Sequence, residues 1–280
     1  MTRFNKTYCS PSQLVQVLKA RGLEISDEDR AERYLNNIGY YRLSAYTYSF
    51  LKEPKTDHRF KDNISFDRVL RLYRFDKKLR MLLFNEIEKI EIVFRQTVAN
   101  VTAQMSGNIF WMTDVSSYSN SSKAAKSITL ITNEYNKSRE DFIEHFKRTY
   151  TNPFPPGWIT VEILPLGNMT WLYSNLADQR IRKAIAKILH LQAPVLDSWM
   201  TIITLTRNSC CHHARMWNKI NPIIPNDMKN NFKNKLTGIL NLFPEIDLRA
   251  MGFNANWEQL PPPPLEIKQV CDKWLVAKRF

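Results

Sequence analysis

The chain has 280 residues, 44% of them hydrophobic, with a formal net charge of +13 and a pI near 9.6. That length suits one large domain with extensions or two small ones, and only seven glycines argue against a Rossmann-type or glycine-looped nucleotide fold. A chain this basic usually meets a polyanion, nucleic acid first among them; the plainer alternative is a generally basic surface with no specific partner.

Four cysteines, with Cys210 and Cys211 adjacent, make no disulfide framework. The opening Met1-Thr2-Arg3-Phe4-Asn5-Lys6 leads into polar sequence rather than the apolar stretch of a signal peptide. No uninterrupted apolar run approaches a membrane span. The expectation is a cytoplasmic protein in a reducing compartment, with no membrane partner.

The elements read as mainly α. Pro11 to Arg21 is a helix, with Ser10 as its N-cap and Gly22 as its stop. Ser26-Asp27-Glu28-Asp29 opens a second helix running to about Asn37; the pair resembles a small helix-turn-helix, which does not imply DNA reading. An aromatic stretch follows: Tyr34, Tyr40, Tyr41, Tyr46, Tyr48 and Phe50, with Arg33 and Arg42 among them. It could stack bases beside phosphate-binding cations, but a packed corner at Gly39-Tyr40-Tyr41-Arg42-Leu43 is the favoured reading. From Phe66 to about Met105 a long helix is expected, with Val69, Leu72, Tyr73, Phe75, Leu79, Leu82, Leu83, Ile87, Ile90 and Phe94 on its apolar face. Asp76/Arg80 and Glu91/Arg95 are i,i+4 pairs on it. They are either ordinary surface salt bridges or, for Glu91 and Arg95, inward groups that orient a site.

Residues 113–127, rich in Ser, Asn and Lys, predict an exposed loop, followed by one helix to about Tyr150. Asn152-Pro153-Phe154-Pro155-Pro156-Gly157 is a firm break. Apolar periodicity resumes from Trp158 to Leu176, interrupted at Pro165 and Gly167, and a shorter helix spans about 178–190. Pro194 starts a further helix and Pro222 is expected to end it. The Pro261–Pro264 run precedes a last amphipathic helix around Leu265–Ala277.

The chemistry concentrates in Arg207-Asn208-Ser209-Cys210-Cys211-His212-His213, followed by Arg215, Trp217 and Asn218. An arginine five residues before a histidine suits a phosphate-handling acid/base site. On an ideal helix with Arg207 at 0°, Asn218, Cys211, Arg215, Asn208 and His212 fall between about 20° and 140°, one polar arc. Trp199, Ile203, Cys210, Ala214 and Trp217 fall on the opposite arc, between about 280° and 340°. His213 sits at the edge of that apolar arc and reads as a packed or orienting residue. Arg207 and His212 are about 140° apart, a gap that a long arginine closes only partly. A distorted turn or a second copy of the chain would have to supply the rest. A zinc site built from Cys210, Cys211, His212 and His213 is disfavoured, because four consecutive helical residues cannot converge on one tetrahedral ion. No metal and no cofactor are expected.

Several segments resemble the Abi-like (AbiD/AbiF) abortive-infection proteins, within the HEPN superfamily of helical ribonucleases and RNA-binding proteins. They are Leu35 to Ser44, which contains Gly39-Tyr40-Tyr41-Arg42, then Tyr73 to Arg80 and Ile87 to Arg95, then Arg207 to Asn218, and finally Met251-Gly252-Phe253 with Trp257. The order of these blocks, over roughly 35–260, carries the resemblance better than the motif alone. It implies an N-terminal helical and aromatic segment over 1–60, a HEPN-like helical bundle over 61–221 and a C-terminal extension over 222–280. It also implies a homodimer in which two Arg-x4-His motifs meet in a composite cleft.

The chemistry so implied is metal-independent RNA cleavage, because RNA carries its own nucleophile in the 2′-OH. Arg207, His212 and Asn208 are the catalytic candidates, with His212 as acid or base, Arg207 as phosphate clamp and Asn208 holding RNA or orienting Arg207. Arg215, Asn218, Arg95, Arg42 and Arg80 are candidate RNA contacts, and Glu91 and His213 candidate orienting residues. The alternative is an RNA-binding protein that does not cut, or cuts only when triggered, acting with a small structured non-coding RNA.

Overall fold

Helix boundaries follow the capping chemistry along the chain. A computed structural model describes Arg3, Asn5 and residues 7–219. The Pro222 stop, the proline run, the last amphipathic helix, Met251-Gly252-Phe253, Trp257 and the extension over 222–280 therefore lie outside the described residues. The chain divides into two compact units, Met1–Arg80 and Met81–Phe280, with the division falling inside one long helix. Among the described residues there is no β-strand, only isolated bridges such as Leu51 with Phe60. The fold is mainly α.

In the first unit, α1 (Pro11–Ala20) opens on a full capping box: Ser10 accepts from the Gln13 amide, and the Gln13 side chain accepts from the Ser10 amide. Helix α2 (Glu28–Ile38) starts at Asp27, whose carboxylate accepts from the Arg30 amide. Gly39, at φ 88°, then turns the chain into α3 (Tyr40–Thr47). The corner read from Gly39-Tyr40-Tyr41 is there, but the aromatic stretch is not one wedge. Tyr46 is buried, whereas Tyr41 is 91% exposed and Tyr48 is 56% exposed.

Helix α4 (Phe66–Ser106) has 41 residues and is about 62 Å long. Val69, Leu72, Phe75, Leu79, Leu83, Ile87, Ile90 and Phe94 are all buried, as the periodicity requires. Leu82, counted on that face in the sequence, is 38% exposed, since it lies a full residue's rotation from Leu83. Asp76 and Arg80 are buried rather than on the surface. Asp76 accepts from Arg80 and from the Tyr46 hydroxyl at 2.5 Å. Burial, and then the Asp76 carboxylate, push the Tyr46 phenol well above its ordinary range.

The second unit corrects two expectations. Residues 113–127 are not one loop: two 3-10 turns, Trp111–Thr113 and Val115–Ser117, lead into α5 (Ser121–Lys137). Asn120, one of the residues that suggested a loop, caps this helix, its side chain accepting from the Lys123 amide, and Ser121 and Ser122 form its first turn. The single helix expected up to Tyr150 is broken at 138–140, and α6 (Asp141–Thr149) follows. Lys147 of α6 reaches back to the Ser138 carbonyl and lies 5.1 Å from the Tyr135 ring centroid. Folding back in this way lets Ile143 and Phe146 be buried.

The proline break gives way to α7 (Gly157–Ile163), and the chain turns again at Pro165 into α8 (Leu166–Asn175). Helix α9 (Gln179–Ile188) is followed by α10 (Ala193–Cys211), with Pro194 in the first turn as expected. No single helix among the described residues is long and apolar enough to cross a membrane.

Candidate functional site

The core-facing arc of α10 is as read: Trp199, Ile203 and Cys210 are buried. The helix does not continue to Pro222. It ends at Cys211, and His212 is the C-cap. His213 takes a left-handed conformation at φ 56°. Its amide donates to the Cys210 carbonyl at 3.1 Å, and the Ala214 amide donates to the Ser209 carbonyl at 2.8 Å. This is a Schellman termination made without glycine, histidine being one of the residues that tolerates the left-handed region. Beyond it Met216 is fully buried and anchors the exit chain. The helical arc drawn through Ala214, Arg215, Trp217 and Asn218 therefore does not exist. Arg215 and Trp217 are half-buried, and Asn218 is exposed in a second left-handed turn at φ 52°.

Arg207, on the last full turns of α10, meets the second block of α4. Glu91 divides its carboxylate between two arginines. One oxygen accepts from Arg95 and the other faces the Arg207 Nε at 3.7 Å, an ion pair without a hydrogen bond. Arg95 also donates to the carbonyl of Val161. That carbonyl is one of the last four of α7, which have no acceptor role inside their own helix. Glu91 and Arg95 thus tie α4, α7 and α10 together around Arg207. Of the two readings of this pair, surface salt bridge or inward group, it is the inward one that the geometry matches. The Glu91 and Arg95 side chains are only 14% and 11% exposed.

The Arg207 side chain is 31% exposed, and among the described residues its terminal nitrogens have no hydrogen-bond partner. Asn208, His212 and His213 are exposed. His213 is exposed rather than core-facing, and its left-handed backbone shapes the turn. No hydrogen bond or ion pair joins Arg207 and His212 among the described residues. Lys219 returns to the helix end and donates to the Ser209 hydroxyl at 2.6 Å. A helix C-terminus carries partial negative charge, unfavourable to an anion. Here the final carbonyls are engaged by the Schellman turn, and Lys219, Arg207 and Arg215 supply the positive charge.

The remaining candidates lie in the first unit. Arg42 is exposed on α3, and Arg80 is buried against Asp76, which leaves it no surface to offer RNA. Sequence reasoning missed the Val161 carbonyl and Lys219. The first is a main-chain group with no sequence signal, and the second joins only because the helix stops early. Among the described residues no three His, Cys, Asp or Glu side chains are grouped so as to hold a metal ion. A family model described as Abi-like protein matches residues 33–218. No curated protein and no solved structure matches the chain.

Proposed function

The chain belongs to the Abi-like family of abortive-infection proteins, and from that premise we propose that it is a metal-independent endoribonuclease of HEPN type acting in the cytoplasm. The observation that carries the reading is the tether of Arg207 to Glu91. The Glu91 carboxylate faces the guanidinium on its Nε side, while the terminal nitrogens of this part-exposed side chain have no hydrogen-bond partner among the described residues. A planar fork presented in this way matches the paired oxygens of a phosphodiester.

In the proposed reaction the 2′-oxygen loses its proton to a base and attacks the adjacent phosphorus. The phosphorus–5′-oxygen bond breaks, and an acid returns a proton to the departing oxygen. The products end in 2′,3′-cyclic phosphate and 5′-hydroxyl. His212 acts as the acid or the base, since an imidazole serves in either role near neutral pH. Arg207 stabilises the charge that builds on the phosphorane oxygens. Asn208, exposed one residue on, holds the RNA. No hydrogen bond or ion pair joins Arg207 and His212 within one chain, and in the proposed enzyme two copies share the site, as the homodimer with a composite cleft that the family resemblance implies.

The test is cleavage of labelled single-stranded RNA and of total cellular RNA in EDTA, by wild type beside His212→Ala and Arg207→Ala. Wild type is expected to cut and leave cyclic phosphate ends, while both variants bind RNA but lose activity by about 10² or more. Cleavage that needs Mg²⁺ and leaves 5′-phosphate ends overturns the mechanism. Tight binding without cleavage by all three favours a binding protein that works with a small structured non-coding RNA.

A further inference from the structure

Five residues are exposed between Phe66 and Arg80 of α4: Arg68, Arg71, Arg74, Lys77 and Lys78. Every one is a cation. Arg71, Arg74 and Lys78 fall within about 60° of each other around the helix, with about 10 Å between the first and the last along its axis. The two carboxylates of this stretch do not neutralise the stripe. Asp76 is buried against Arg80, and Asp67 is held by Arg30 at 2.9 Å. Among the described residues Arg71, Lys77 and Lys78 have no partner.

Helix α2 lengthens the basic surface. Its Arg30, Arg33, Tyr34 and Asn37 share one arc of about 100°, whereas Glu28, Asp29 and Glu32 lie on the other side. Glu28 is engaged there by Lys19 and Gln16 of α1. The joint between the two basic arcs is Tyr34. Arg74 donates to its hydroxyl at 2.6 Å, and the Arg30 and Arg74 guanidiniums each lie 5.7 Å from its ring centroid. The hydrogen bond from Arg74 holds the Tyr34 phenol below its ordinary range, the mark of a positive local field. Flanked by two guanidiniums, this ring cannot stack a base; it sets the direction of Arg74.

We propose that the first unit carries an RNA-backbone binding surface, with Arg71, Arg74 and Lys78 of α4 as its rail, Arg33 of α2 beside it and Tyr34 positioning Arg74. Cations at regular spacing, with Arg71 and Lys78 lacking acceptors among the described residues, Arg74 bonded only to a phenol and the Tyr34 ring lying beside two guanidiniums, read phosphates rather than bases. The occupant is therefore a structured RNA recognised by its backbone. An anionic lipid surface fits less well, because a membrane-binding helix sets large apolar side chains among its cations, whereas the exposed residues from Phe66 to Arg80 are all cations and the exposed apolar ones, Met81, Leu82 and Phe84, begin only beyond them. The proposal rests on RNA being the partner and not on its being cut.

The test measures anisotropy of a fluorescein-labelled RNA hairpin with full-length protein carrying His212→Ala, so that the probe stays intact. The parent is compared with a version that adds Arg71→Gln, Arg74→Gln and Lys78→Gln. A third version adds Arg148→Gln, Lys183→Gln and Lys187→Gln, exposed cations of the second unit. The rail variant is expected to bind at least about tenfold more weakly at low salt, and the dependence of log K on log salt should flatten by about 2. The second-unit variant should stay within about twofold of the parent, since net charge is matched. Equal losses in both triple variants, no loss in the rail variant, or parent binding to anionic phospholipid vesicles but not to the hairpin each overturn the surface. Cleavage is read separately with His212 intact. Loss of binding on the rail in a protein that never cuts RNA keeps the surface and sinks the nuclease. Cutting by a protein whose rail is dispensable does the reverse.

Discussion

Glu91 is the residue on which the proposed chemistry turns, although it would touch no substrate. Its carboxylate faces Arg207 with one oxygen and accepts from Arg95 with the other, inside a part-buried setting where such pairs are screened less than at the surface. Replacing it with glutamine keeps the shape and a hydrogen-bond acceptor for Arg95 but removes the charge that holds Arg207. Glu91→Gln is therefore expected to lower cleavage by about 10²-fold, the cost of a small misplacement of a catalytic group. RNA affinity should stay within a few-fold of wild type, and urea stability within about 2 kcal/mol of it. Single-turnover cleavage beside RNA binding and urea denaturation decides the matter. Unchanged cleavage means that Arg207 does not need Glu91 to stand in place. Arg80 makes the contrasting case. It belongs to an i,i+4 pair of the same appearance in sequence, yet it is closed off with Asp76 and Tyr46.

Among the elements, α7 shows how a short helix carries tight constraints. Its first residue, Gly157, lies so close to Trp111 that a Cβ there would stand 2.7 Å from the indole Nε1. Trp111 is fully buried and has little room to retreat. The Gly157 amide also donates to the Ile109 carbonyl at 2.8 Å, which fixes the backbone at that distance. Gly157→Ala is expected to cost about 1–3 kcal/mol, as overpacking does, despite alanine's better helix propensity. Equilibrium urea unfolding followed by tryptophan fluorescence measures it, and a gain in stability means that Trp111 moves aside at no cost. The sequence could announce the break before α7, because proline has no amide donor, but not the contact, which is made across 46 positions between Gly157 and Trp111. Legibility followed that same division elsewhere. The span of α4, the capped start of α1 and the proline start of α10 were readable from periodicity and local caps. The end of α10 was not: the usual glycine is missing and His213 adopts the left-handed turn in its place. The Glu91–Arg95–Arg207 group was half readable. The i,i+4 spacing put Glu91 beside Arg95, but only packing could bring α10 against them.

For the whole molecule the question is whether one chain can form a working site. Arg207 is ion-paired to Glu91 of α4, and His212 is exposed at the cap with no hydrogen bond or ion pair to it among the described residues. If the arginine of one copy works with the histidine of the other, each dimer has two such pairings, related by its two-fold symmetry. A dimer joining an Arg207→Ala chain to a His212→Ala chain then keeps one pairing with both residues intact, and its other pairing lacks both. Random exchange of the two variants makes half of the dimers mixed, so the mixture should recover about a quarter of wild-type cleavage, although neither variant cuts alone. Were arginine and histidine instead drawn from the same chain, every pairing in the mixture would lack one of the two, and no activity would return. The measurement is a mixing series in EDTA, carried out after partial denaturation and refolding to allow exchange, with sedimentation confirming the dimer. Recovery that follows the mixed-dimer fraction supports the shared cleft. A sedimenting dimer with no recovery assigns arginine and histidine to the same copy, and a monomer that cuts at full rate removes the second copy from the mechanism.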